Sequence, residues 1–144
     1  MEAKQWLLRA RRLQARIDRL EEARRGAWER ATSTTQRVSS DPVSHSGISR
    51  KAEGTADLIG AIDAERRRLD AIKAEIVAVT AQINDNTLAA LILGYYVNGK
   101  TWEQVCVDIS YSYIHTVHRL HPAALAAVEE ILEGGGDDGT PKPC

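Results

Sequence analysis

Thr87–Val128 reads TLAALILGYYVNGKTWEQVCVDISYSYIHTVHRLHPAALAAV, and its spacing of apolar residues divides it into three helices, the last two joined by a tight turn. Asn84, Asp85 and Asn86 supply short polar side chains that can accept from the free N–H groups of a first helical turn. Leu88, Leu91, Ile92 and Tyr95 then share one face. Asn98-Gly99 ends that helix, because both residue types tolerate a left-handed backbone. Thr101-Trp102-Glu103-Gln104 fits a capping box and starts a short helix whose apolar face is Trp102, Val105, Cys106 and Ile109. Ser110-Tyr111-Ser112 forms the turn. The third helix begins near Ser112 or Tyr113. Val117, Leu120, Ala124 and Val128 lie on its inner face, and Tyr113, His115, His118 and Arg119 on its outer face. Pro122 falls about two turns in, where it deletes a backbone hydrogen bond and crowds the carbonyl of His118, at roughly 3 kcal/mol in a straight helix. A kink or break is expected at His121, with Pro122 in the first turn of a separate helix running to Glu133.

Two short helices around a tight turn, the second with a polar free face, match the geometry that enters a DNA major groove. The same pattern serves equally as a small three-helix bundle with no nucleic-acid role. By position, the base-edge candidates are Tyr113, His115, Thr116, His118 and Arg119, with Ser112 at the head of the helix. Arg119 is the strongest of them, since a guanidinium can engage guanine or phosphate with two donors. Lys100, Thr101 and Tyr111 fall where they would meet the phosphate backbone.

The stretch TWEQVCVDISYSYIHTVHRLHPAAL resembles the helix-turn-helix of sigma-factor region 4. More closely, the whole chain is similar to small phage proteins related to ArpU- and RinA-type late transcriptional regulators. Leu93-Gly94-Tyr95-Tyr96, Ser110-Tyr111-Ser112 and Arg119-Leu120-His121 carry this resemblance. It implies a coiled-coil hairpin, a Ser/Thr-rich loop and a DNA-reading C-terminal domain. It also implies a phage or prophage origin, double-stranded DNA as partner, and a stalk that supplies dimerisation or a contact with RNA polymerase. The chain departs from the pattern at Gly94, where the family has Arg, and at Tyr113, where the family has the capping Ser found here one step earlier at Ser112.

Charge tempers the DNA reading. The chain carries a formal net charge of −1, but residues 1–30 hold nine Lys/Arg against five Asp/Glu, whereas residues 84–133 hold only Lys100 and Arg119 against six acids. Duplex binding draws much of its affinity from cations on phosphates. The reading head is therefore acidic unless His115, His118 and His121 are protonated, or the acids lie away from the groove. The composition, with no Phe and 5% aromatics, suits long paired helices better than a thick core. Cys106 and Cys144 make no disulfide framework and point to a reducing, cytoplasmic setting. Trp6-Leu7-Leu8 is followed at once by Arg9, Arg11 and Arg12, which argues against a signal peptide, and no apolar run approaches the ~18 residues of a membrane span.

Around this head the expected architecture is all-α. Residues 1–83 form an antiparallel coiled-coil hairpin with a flexible loop at 32–50, residues 84–133 the helix-turn-helix domain, and 134–144 a disordered tail. The first stripe is Trp6, Ala10, Leu13, Ile17, Leu20, Arg24 and Ala27, and the second Leu58, Ile62, Glu65, Leu69, Ile72, Ile76, Val79 and Ile83. A symmetric fold-back sets Leu13 near Leu69, Leu20 near Ile62 and Trp6 near Ile76. Pairing of the same stripes between two chains is equally compatible. Arg66-Arg67-Arg68 reads as a solvated face or a phosphate contact. No phosphate loop, paired-cysteine motif or nucleophile elbow is present, and His115, His118 and His121 spread over too wide an arc to share one ion. The expectation is a non-enzyme without cofactor or metal. The alternative to a regulator is a helical adaptor or assembly protein, including a small terminase-like subunit, that works through its coiled coil.

Overall fold

The computed structural model of the chain describes residues 2–37 and 44–134, with side chains described outside 31–53 and 55. Every regular element among the described residues is helical, in keeping with the all-α expectation. Helix α1 spans Ala3–Arg37 and α2 Ser44–Thr80. Helix α3, Asn86–Ile92, continues through a π turn at Leu93–Val97. Helix α4 is Trp102–Ile109. Helix α5, Tyr113–His115, runs through a second π turn, Thr116–Leu120, into α6, His121–Gly134.

The helices reach further into the Ser/Thr-rich stretch than the loop expected at 32–50. Helix α1 ends at Arg37 and α2 starts at Ser44, which leaves 38–43 outside the described residues. Ser and Thr are indifferent helix formers rather than breakers, and one internal Gly costs only about 1 kcal/mol, so Gly47 is accommodated. The tail expected at 134–144 lies outside the described residues except for Gly134, the last residue of α6.

The chain forms two compact units, Leu13–Asp70, and Met1–Arg12 together with Ala71–Cys144. In the first, Leu13, Ile17, Ile62 and Leu69 are buried, four of the positions the heptad stripes select. Burying an aliphatic side chain contributes roughly 1.5–3 kcal/mol, against about 0.2–1 kcal/mol for an exposed ion pair, so the apolar seam outweighs the charges beside it. Within this unit Arg16 pairs with Glu65 and Arg66 with Glu21, so α1 and α2 exchange charges along the seam. Glu65, expected as a polar break in the seam, lies 13% exposed between Arg16 and Arg68. Arg24 instead points to solvent.

In the second unit the α1 stripe moves over by one residue. Leu7 is fully buried, while Trp6 is half-buried with the Arg9 guanidinium 5.1 Å from its ring centre. Both residues stand three or four before Ala10, so spacing alone allows either inward. Leu7, Ile76, Leu91, Ile92, Tyr96, Val105, Ala124 and Val128 make up the core of this unit. Gly94 is buried in the π turn of α3, where an added Cβ would lie 3.3 Å from Val105 Cγ2. The position is therefore one of close backbone approach to α4, which no large side chain could occupy.

Pro122 does not break the helix. The His121 N–H reaches back five residues to the Thr116 carbonyl, and the chain stays helical from Tyr113 to Gly134. A turn widened in this way just before Pro122 gives the ring room that a regular α turn denies it. The α-helical segment does change at His121, with Pro122 in the first turn of α6. The extra residue also shifts which side chains turn inward. Thr116 is fully buried and Val117 only half so.

Candidate nucleic-acid interface

The local signals at 101–116 form as their residue types dictate. The Thr101 hydroxyl accepts from the Gln104 N–H at 3.2 Å, and the Gln104 side chain accepts from the Thr101 N–H at 3.1 Å, which completes the capping box. Helix α4 ends in a Schellman motif. Ser110 takes the left-handed conformation (φ 63°), and the Tyr111 N–H closes onto the Cys106 carbonyl at 3.1 Å. Ser112 then caps α5, its hydroxyl accepting from the His115 N–H at 3.2 Å. The turn is thus Ser110-Tyr111-Ser112, and the second helix starts at Tyr113.

This geometry sets the surface. Tyr111, Ser112, Tyr113, His115, His118 and Arg119 are all exposed around the turn and the first two turns of the second helix. The Tyr111 ring stacks on His115 with centroids 5.2 Å apart. Among the described residues Arg119 and His118 have no ion-pair partner, so both heads are available.

Three of the expected site residues are committed elsewhere. Thr116 is corrected outright. It is 0% exposed and its hydroxyl donates to the Ser112 carbonyl at 2.7 Å, because the π turn rotates it inward. Lys100 is half-buried, with its ammonium paired to the Asp108 carboxylate, so its charge is largely answered within the chain. The Thr101 hydroxyl serves the cap.

His121, counted with His115 and His118 as a possible charge on the head, turns inward. Its Nε2 lies 2.6 Å from Tyr96 Oη and its ring 4.6 Å from that of Trp102. Trp102 in turn stacks on Tyr95 at 3.9 Å. The Arg11 guanidinium covers the Tyr95 ring at 4.0 Å and donates to the Tyr95 carbonyl at 2.8 Å. Burial, with Lys4 as a second cause, pulls the His121 pKa down to about 4, so this imidazole is neutral at physiological pH and adds no charge to the surface. Burial likewise pushes the Tyr96 hydroxyl well above its ordinary value. Among the described residues no three His, Cys, Asp or Glu side chains converge as a metal site. Cys106 is a buried free thiol.

The first turns of the second helix carry no acid. No Asp or Glu occurs from Ile109 to Val128. Asp108, just before, is paired with Lys100. Glu129 accepts from the Ala3 N–H at 2.8 Å, at the positive end of α1, and Asp85 caps α3.

One exposed residue was not among the candidates. Ile114, the second residue of α5, is 72% exposed. Its apolar character hides it from a search for polar contacts. The signal that finds it is the cap at Ser112, which fixes residue 114 in the first turn of the second helix, beyond the reach of the core.

No protein-family model matches this chain, and neither a curated protein nor a solved structure matches it. The fold by itself defines an all-helical protein in which two short helices meet at a tight turn.

Proposed function

We propose that this chain is a DNA-binding transcriptional regulator of phage or prophage type, which reads the major groove with the helix that starts at Tyr113. One observation carries the reading. The capped first turns of that helix hold Tyr113, Ile114, His118 and Arg119 in solvent, on a stretch free of acids, directly after a tight turn. Base-edge contacts fall to Tyr113, His115, His118 and Arg119, and Tyr111 and Ser112 lie toward the phosphates. The coiled-coil helices serve a second copy of the chain or RNA polymerase, in the bacterial cytoplasm. This reading gives the protein no catalytic role and no cofactor.

Arg119→Ala tests it. Arg119 is exposed and unpaired, so the variant folds as the parent does, and its affinity for duplex DNA drops. Unchanged affinity removes this helix from the interface.

An adaptor or assembly role through the coiled coil has the charge of the C-terminal domain in its favour: residues 84–133 hold Lys100 and Arg119 against six acids, whereas duplex binding draws on cations. A large ring in light scattering, as a small terminase-like subunit forms, would decide for assembly.

A further inference from the structure

We infer that Ile114 is a specificity-determining residue that reads thymine 5-methyl groups, so that the preferred site carries thymine opposite the first turn of the second helix. The inference rests on the duplex-reading proposal above. A β-branched aliphatic side chain left 72% exposed at the second position of a capped helix is held out by that cap rather than drawn to the core. In the first turn of a groove-reading helix it stands where base edges are met. Among the groups that base pairs present in the major groove, the thymine methyl is the apolar one. An isoleucine there gains by meeting that methyl and loses by covering a polar edge.

The charge pattern points the same way. With Lys100 answered by Asp108 and Thr116 turned inward, Arg119 is the one permanent cation exposed on the described stretch from Ile109 to Val128. Phosphate contacts from this helix are few, so discrimination falls to what its first turn touches. Tyr113, His115 and His118, also exposed here, carry polar-tipped rings, and Ile114 is the large aliphatic side chain exposed on this helix.

The test begins with duplexes selected by the full-length protein from a random library. Each thymine of the selected site is then replaced, one at a time, by deoxyuridine, which removes only the methyl group. The wild-type protein should bind about fourfold more weakly when the critical methyl is lost, the worth of one buried methyl-sized group. Ile114→Ala, a change on exposed surface that leaves the fold intact, should bind the thymine and uracil duplexes equally. If wild-type protein binds both equally while Arg119→Ala still weakens binding, the inference fails and the DNA reading stands. If no duplex is selected at all, the DNA reading fails and takes the inference with it.

Discussion

Tyr96 Oη lies 2.6 Å from His121 Nε2, and this contact ties the π-turned end of α3 to the start of α6. Two irregular turns meet at one hydrogen bond, beside the stacked Tyr95 and Trp102 rings. The base of the second helix is thus set by a partly buried aromatic cluster rather than by the helix alone.

Stability should therefore depend on pH through His121. Its folded pKa of about 4 lies below the ordinary 6.5, so the unfolded chain takes up the proton first as pH falls. The contribution of neutral His121 is complete above 6.5, is lost as pH drops from there toward about 4, and levels off below. Denaturant midpoints of wild type and His121→Gln, taken at about pH 7 and about pH 5, check this. The gap between the two proteins should narrow at the lower pH, and a gap that holds constant would contradict it.

Removing the other partner should also cost stability. Tyr96→Phe keeps the ring packing but leaves His121 with a polar atom unanswered in a crowded site, for a loss of about 1–3 kcal/mol in urea unfolding. Loss of the ring as well, in Tyr96→Ala, should cost more.

Gly94 and Val105 should be coupled. Gly94→Leu drives a side chain into a gap that an added Cβ alone would enter at 3.3 Å from Val105 Cγ2, and should destabilise by about 1–3 kcal/mol. With Val105→Ala in the same chain, part of that loss should be recovered, because the space needed has been opened. Strict additivity in the double-mutant cycle would deny the contact.

Salt dependence separates the roles open to Arg119. If it neutralises a phosphate, Arg119→Ala should reduce the slope of log K against log salt by about 0.9 and weaken all sequences alike. If it grips a guanine, the slope should hold nearer the wild-type value and preference at one base pair should relax, by roughly 1–3 kcal/mol. A titration at several salt concentrations on two sequences distinguishes them.

Much of the fold was legible in the chain because its local signals are strong and agree. The Thr101–Gln104 capping box, the Asn98-Gly99 stop, the Ser112 cap and the stripe through Leu13, Ile17, Ile62 and Leu69 all form where the residue types place them. What the sequence hid follows from tertiary packing. Pro122 signals trouble in a helix, but whether the chain breaks or widens one turn depends on what surrounds it, and here His121 is held by Tyr96 and Trp102. That π turn sends Thr116 inward. Ile114 stayed hidden for a different reason: on a sequence, an exposed isoleucine looks like a core residue. At Lys100, the partner eight residues on at Asp108 became visible only once α4 was placed beside it.

The most direct measurement of the central claim is binding of the purified protein to short duplexes, one set random and one from the neighbourhood of its own gene, at low and at moderate salt. A DNA reader should bind both at low salt, lose affinity as salt rises and keep a preference for the native set. Absence of binding to either set at low salt would contradict the account and turn attention to a protein partner of the coiled coil.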